Sequence, residues 1–186
     1  MIFVFDTETT GLPKNYNAPV TDLDNWPRVI MLAYNIYTES QTIVKSVSSL
    51  VKPDGWEVPD TDFHKKHGYS TEKCKKHGKS MVELLTEFIK DLSLCHTVVA
   101  HNLGYDRNVI GAEMLRYGLK VEVKPVFVDT MILGTEICKL PGKYGYKYPS
   151  LTELHKHFFG EGVKGAHDAL SDVEACAKCF FKIMLK

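Results

Sequence analysis

The sequence of 186 residues has no excess of either charge, no long apolar run and no framework of paired cysteines. Lysine plus arginine and aspartate plus glutamate each number 23, so the formal net charge is 0, which excludes a chain-wide basic field for binding nucleic acid. No apolar segment approaches the roughly 20 residues that cross a bilayer, so no membrane partner is expected. Five cysteines cannot all pair, and we therefore expect reduced thiols and a cytoplasmic location.

The composition, with 44% hydrophobic and 25% charged residues, is that of a globular protein. It excludes a disordered chain, a collagen-like repeat and a fibre. The length suits one domain with a sizeable core, and we expect a single domain over residues 1–186. The apolar start from Met1 to Phe5 is interrupted at once by Asp6 and Glu8, whereas a secretory signal needs about 7–15 apolar residues.

Apolar patterns predict three strands first and then an alternation of helices and strands. The strands are expected at 2–5, 29–37, 42–51, 97–100 and 126–128. Helical spacing, with Ser80, Ser150 and Asp168 as N-caps, predicts helices at 81–92, 109–117, 150–159 and from 169 onward. This order indicates an α/β domain with a mixed sheet.

Two carboxylates follow the first predicted strand. Asp6 and Glu8 are two residues apart on an extended segment, so both side chains point to the same face. Two converging acids at a buried strand end are costly unless a hard divalent cation neutralises them. The alternative is that they are ordinary loop acids beyond a strand.

Further acids lie at two other junctions between predicted elements. Asp106 follows the strand that ends at Ala100 and lies one turn into the next helix. Asp168, as N-cap of the last helix, places Asp172 near the end of its first turn and His167 just before it. Sites in open α/β sheets form where strands end and helices begin, so we expect the three acidic segments to meet.

Three motifs occur in order along the chain: FDTETTG at 5–11, AHNLGYD at 100–106 and HDALSD at 167–172. Together they resemble those of the DEDD-type 3′–5′ exonucleases, in the DnaQ-like branch with a histidine in the third motif (DEDDh). Weaker similarities are HGY at 67–69 and VDT at 128–130, and Tyr105 stands where the family often has phenylalanine, with little consequence expected. The resemblance implies a ribonuclease H-like fold, with a central mixed five-stranded sheet (three antiparallel strands, then two parallel) flanked by helices.

The resemblance also implies an activity. It assigns Asp6, Glu8, Asp106 and Asp172 as ligands of two divalent cations, Mg²⁺ or Mn²⁺, with Asp6 bridging them, and His167 as general base. The expected reaction is hydrolysis at the 3′ end of single-stranded or frayed DNA, or RNA, with release of 5′-mononucleotides. A histidine at this place could equally be a helix-cap residue without a catalytic role.

Contacts to substrate are expected from the same family. The candidates are Thr7, Thr9, Leu12, His67, Tyr69 and Asn102. Leu12 would wedge against bases, although core packing is equally plausible for it, and Asn102 is expected chiefly to order its loop by hydrogen bonds.

Two other functions remain open at this stage. One is a non-catalytic module that binds nucleic acid or a partner protein, although such a module has no need to confine so many acids. The other is a proofreading subunit similar to the epsilon subunit of DNA polymerase III, which would associate with a DNA polymerase. The sequence shows no separate tethering segment, which favours a stand-alone enzyme.

Two lysine-rich segments could contact phosphates. Residues 62–79 carry six lysines against two acids, and residues 139–148 carry three lysines and three tyrosines without an acid. Both could instead be solvated surface loops.

Two cysteine and histidine patterns are given little weight. One is a zinc-like spacing in a lysine-rich segment, and the other is a C-x-x-C on the apolar side of a helix, which favours packing over redox chemistry. Their residues are His64, His67, Cys74 and His77 for the first and Cys176 and Cys179 for the second.

Overall fold

The fold is built on a five-stranded sheet in the order β3-β2-β1-β4-β5. A computed structural model describes residues 1–165 and 168–185 of the chain. The strands are β1 (Ile2–Thr9), β2 (Val29–Tyr37), β3 (Ile43–Leu50), β4 (Thr97–Ala100) and β5 (Val126–Asp129). The first three pair antiparallel, and β4 and β5 add in parallel next to β1. The predicted mixed sheet and the ribonuclease H-like fold are therefore confirmed.

Seven helices and a small hairpin accompany the sheet within the described residues. They are α1 (Asp62–Lys66), α2 (Thr71–His77), α3 (Met81–Leu92), α4 (Leu103–Arg116), α5 (Thr130–Cys138), the hairpin strands β6 (Pro141–Gly142) and β7 (Gly145–Tyr146), α6 (Leu151–Phe159) and α7 (Ala169–Met184). The predicted N-caps are confirmed, because the side chains of Ser80, Ser150 and Asp168 each accept a hydrogen bond from a backbone N–H in the first turn. No helix among residues 1–165 and 168–185 is long and apolar enough to cross a membrane.

The first strand is longer than its apolar run predicts. It continues to Thr9, because β2 pairs with it in register from Ile2 to Glu8 and irregularly at Thr9. Asp6 and Glu8 thus lie within a strand, and the interpretation as loop acids is wrong. Hydrogen bonds to a neighbouring strand hold such polar residues in a strand. The β-propensity of the residues themselves does not predict this pairing.

Several elements were not expected from the sequence. The helices α1, α2 and α5 and the β6–β7 hairpin fall in segments for which no helix or strand was predicted, whereas α4 begins at Leu103, which agrees with the expectation that Asp106 lies one turn into this helix. These elements are short or expose much of their surface, so their sequences lack the regular apolar spacing on which the predictions depend.

Alternation along β1 directs its residues to two cores. Phe3 and Phe5 face the core formed with α3 and α4, where the ring of Phe3 lies 4.7 Å from that of Tyr34. Ile2 and Val4 face the second core, formed with α7. Asp6 and Glu8 continue this second row, so they point toward α7, whereas Thr7 points toward α4.

All five cysteines are free thiols, as expected. Cys176 and Cys179 are buried on α7, which confirms the packing interpretation of the C-x-x-C pattern.

Candidate active site

Three acids meet at the end of β1. Asp6 and Glu8 project from alternate positions of the strand, and Asp172 comes from the first turn of α7. One carboxylate oxygen from each lies within 4.8 Å of the others. Among the described residues, this is the one group of acidic, histidine or cysteine side chains whose geometry could hold a metal ion.

Asp106 approaches β1 from the other side of the sheet. It lies in the first turn of α4, is 3% exposed, and its Oδ1 accepts hydrogen bonds from the backbone N–H of Thr7 at 3.1 Å and from the Thr7 hydroxyl at 2.6 Å. Thr7 therefore fixes one oxygen of Asp106 beside the strand that carries Asp6 and Glu8.

Burial and mutual repulsion change the ionisation of these acids. Burial, followed by repulsion from Asp106, Asp172 and Glu8, raises the pKa of Asp6 well above its usual value. Burial and then repulsion from Asp172 raise the pKa of Glu8 to about 8, and burial raises that of Asp106 to about 7, although the Thr7 hydrogen bonds oppose this. Without a counter-charge the site therefore retains protons near neutral pH.

The donor set fits hard divalent cations. All four groups are carboxylates, and Mg²⁺ and Mn²⁺ prefer oxygen ligands. A bound cation would supply positive charge against the burial and mutual repulsion that raise the pKa values of Asp6 and Glu8.

A cavity of about 470 Å³ opens beside the acids. Its walls are the end of β1, the segment that follows it through Leu12, the start of α1 and the first turn of α4. Glu8 lines it directly, and so do Phe63 and Tyr105. This volume falls within the range of small-ligand pockets.

Tyr105 is the position at which the sequence departs from the family pattern. Its side chain forms one side of this cavity. Its hydroxyl donates to the carbonyl oxygen of Gly11 at 2.9 Å and lies 2.5 Å from the Thr9 hydroxyl. A phenylalanine could make neither bond, so the substitution has a local consequence that was not expected. It ties the segment after β1 to α4.

Four of the six residues predicted to contact substrate line the cavity. They are Thr7, Thr9, Leu12 and Asn102. Leu12 is 73% exposed, which excludes the core-packing alternative. The backbone N–H of Asn102 donates to Asp129, so its main chain helps to order the loop.

Two of the predicted contacts lie outside the cavity wall. His67 packs its ring 4.6 Å from that of Phe63, and Phe63 is the residue that lines the cavity. Tyr69 is buried, and its hydroxyl donates to the sulfur of Met31 at 3.4 Å. His67 thus packs behind a residue of the cavity wall. Tyr69 lies near the acids, because burial and then repulsion from Glu8 and Asp168 raise its pKa.

The sequence analysis missed two residues that shape the site. His64 is buried against the end of β1, with Nε2 3.2 Å from the carbonyl oxygen of Thr9. Asp129 accepts hydrogen bonds from the N–H groups of Asn102, Leu103 and Met131, so one carboxylate holds the starts of both α4 and α5. The signals for Asp129 were its position at a strand end and the weak family similarity of VDT at 128–130, neither of which indicated this role.

Two further expectations concern histidine. His167, the expected general base, lies outside the described residues. The zinc-like spacing does not form a site, because His64 bonds to Thr61 and Thr9 whereas Cys74 lies in an apolar cluster with Tyr69.

Comparison with known proteins agrees with this architecture. No curated protein sequence matches the chain significantly. Among solved structures, E. coli exonuclease I in complex with a dT13 oligonucleotide is 15% identical over 100% of this chain and 40% of that chain, with a TM-score of 0.75. Exonuclease I from Methylocaldum szegediense is 19% identical over 95% of this chain and 38% of that chain, with a TM-score of 0.68. At such identities the likeness shows the fold, and the chain spans about two fifths of the length of these proteins.

A match to a family model goes further. The exonuclease family model RNase_T matches residues 3–180, which include all three acidic motifs. The chain therefore belongs to this exonuclease family.

Proposed function

We propose that the protein is a metal-dependent 3′–5′ exonuclease that hydrolyses the terminal phosphodiester bond of single-stranded or frayed nucleic acid and releases 5′-mononucleotides. The observation that carries the proposal is the convergence of Asp6, Glu8 and Asp172 from distant parts of the chain, with ligand oxygens within 4.8 Å, beside a nucleotide-sized cavity. A binding module would gain nothing from confining these charges. The proposal takes residues 1–186 as one exonuclease domain.

The acids have distinct tasks in this proposal. Asp6, Glu8 and Asp172 would hold two divalent ions, Mg²⁺ or Mn²⁺, with Asp106 as a further ligand whose orientation Thr7 sets. When bound, such ions stabilise charge on the attacking and leaving oxygens of the phosphodiester.

The remaining residues would bind substrate and move a proton. The cavity beside Glu8 would receive the terminal nucleotide, with Leu12 on its open rim and Tyr105 holding the segment before it. His167 would take the proton of the attacking water, since histidine is the side chain that most often acts as a general base near neutral pH. This role for His167 rests on the family resemblance.

Single-stranded DNA is the favoured substrate. This choice is supported by the structures of E. coli exonuclease I, whose fold this chain shares and which were solved in complex with the oligonucleotides dT13 and dA16. RNA and association with a DNA polymerase are further possibilities that the same family resemblance allows.

Digestion of 5′-labelled single-stranded DNA and RNA tests the proposal. With Mn²⁺ or Mg²⁺ we expect a ladder that shortens from the 3′ end, and with EDTA no shortening. Asp172→Asn should abolish the ladder, whereas Glu174→Gln, an exposed acid on the same helix, should not. Cleavage that persists in EDTA, or an active Asp172→Asn variant, would contradict the proposal.

A further inference from the structure

The β6–β7 hairpin combines positive charge with exposed aromatic rings. Its two-residue turn consists of Lys143 and Tyr144, between the paired residues Gly142 and Gly145. A side chain at Gly142 would come within 2.9 Å of the Gly145 carbonyl oxygen, so the turn is as tight as the backbone permits. It projects its two large side chains outward.

Three tyrosines of this segment are exposed. Tyr144 at the turn is 90% exposed, Tyr146 is 50% and Tyr148 is 62% exposed. The ammonium group of Lys143 lies 5.0 Å from the centre of the Tyr144 ring. Clustered rings with half or more of their surface exposed mark a contact surface.

The positive charge of the hairpin is largely available. Lys147 pairs with Glu153 at 2.6 Å, whereas Lys139 and Lys143 form no salt bridge with any residue that the structure describes. The other lysine-rich segment, 62–79, likewise has one lysine in a salt bridge, Lys65 with Asp60 at 2.8 Å. The hairpin differs from it in its exposed tyrosines, which makes it the better candidate for binding single-stranded nucleic acid.

The base of the hairpin is tied to the rim of the cavity. Pro149, directly after Tyr148, presents its carbonyl oxygen 3.0 Å from Nε2 of His101. Because a carbonyl only accepts, Nε2 carries the proton, and burial lowers the pKa of His101 so that the ring stays neutral. The next residue, Asn102, lines the cavity. A polynucleotide chain leaving the cavity on this side would reach the hairpin.

We propose that the β6–β7 hairpin binds the single-stranded nucleic acid that extends from the 3′-terminal nucleotide in the cavity, with its tyrosines stacked on bases and Lys139 and Lys143 on phosphates. This inference rests on the proposed function and names the surface that holds the rest of the substrate. Stacking on aromatic rings and neutralisation by lysine are the two contributions that bind single strands without sequence preference.

The two contributions have different signatures in a binding titration. Fluorescence anisotropy of a labelled 15-mer of deoxythymidine is measured in EDTA over a series of salt concentrations. Tyr144→Ala/Tyr148→Ala should weaken binding by about 5-fold or more without changing the salt slope. Phenylalanine at both positions should preserve the affinity.

The lysine variants should change the slope instead. Lys139→Gln/Lys143→Gln should reduce the slope of log K against log salt by about 0.7 for each lysine. Lys90→Gln is the matched control, because Lys90 is exposed on α3, which packs on the opposite face of the sheet from α7, the helix that contacts α5 and α6. It should bind like the wild type.

The outcomes separate this proposal from the proposed function. If the tyrosine variant binds like the wild type and the hairpin lysine variant behaves like Lys90→Gln, the hairpin proposal is overturned, even when the wild type degrades DNA with Mn²⁺. If the variants show the expected losses while the wild type degrades neither DNA nor RNA, the hairpin proposal stands and the nuclease proposal fails.

Discussion

Replacing Glu8 with glutamine should stabilise the metal-free protein at alkaline pH. Glu8 is 9% exposed, and burial, with repulsion from Asp172 and Asp106, raises its pKa from 4.5 to about 8. A carboxyl group whose pKa is higher in the folded state contributes most stability below its unfolded pKa. That stability is lost as the pH rises through the folded pKa. The free-energy cost of ionising Glu8 in the folded protein therefore grows between about pH 4.5 and 8 and is complete above about pH 8.

The size of the effect follows from the pKa change. At about 1.4 kcal/mol for each pH unit, the change from 4.5 to about 8 corresponds to roughly 5 kcal/mol for an isolated group. The neighbouring acids share protons with Glu8 and relax when it is removed, so we expect about 2–3 kcal/mol for Glu8→Gln. For a chain of this length that is a rise in Tm of about 4–12 °C.

Glu113→Gln is the matched control with the opposite sign. Glu113 is also buried, but its carboxylate accepts from Nε of Arg28 at 2.8 Å and lies 3.1 Å from a guanidinium nitrogen of Arg116. Removing one partner of such a buried ion pair costs about 3–5 kcal/mol, so this variant should be destabilised.

Thermal unfolding followed by circular dichroism measures both variants. In EDTA at about pH 9 the Tm of Glu8→Gln should exceed that of the wild type, and the difference should shrink toward about pH 5. Added Mn²⁺ should raise the Tm of the wild type more than that of Glu8→Gln. A Glu8→Gln variant less stable than the wild type in EDTA at alkaline pH would refute the electrostatic argument.

Three further substitutions test individual residues. His167→Ala should lower kcat by at least about 100-fold while Mn²⁺ binding, measured by calorimetry, is retained; an unchanged kcat would remove His167 as the base. Thr7→Val removes the hydroxyl that donates to Asp106, so in EDTA the pKa of Asp106 should rise above about 7, as measured by NMR titration of its carboxyl carbon; an unchanged pKa would contradict that coupling. Tyr105→Phe removes the bond to Gly11 and should raise KM about 3–10-fold with a smaller change in kcat, since a hydrogen bond of this kind contributes about 1 kcal/mol.

The sheet could be predicted from local periodicity, and the meeting of the acids from their positions at strand ends and helix starts together with the family resemblance. Residues of β1 alternate between two faces, which fixes Asp6 and Glu8 on one side. The caps at Ser80, Ser150 and Asp168 mark helix starts through hydrogen bonds within three residues of the cap.

Other features depend on contacts between distant segments and leave no local pattern. The role of Asp129 requires that α4 and α5 begin side by side, which is set by the pairing of β4 with β5. Similarly, His64 acquires its place only because α1 packs against the end of β1. The β6–β7 hairpin is too short and exposed to show strand alternation.

The most direct test of the central claim is anomalous diffraction from crystals soaked in Mn²⁺. The account predicts two manganese peaks, about 3.5–4 Å apart, bound by carboxylate oxygens of Asp6, Glu8 and Asp172. Anomalous maps without a peak among these side chains, in crystals that take up manganese elsewhere, would contradict it.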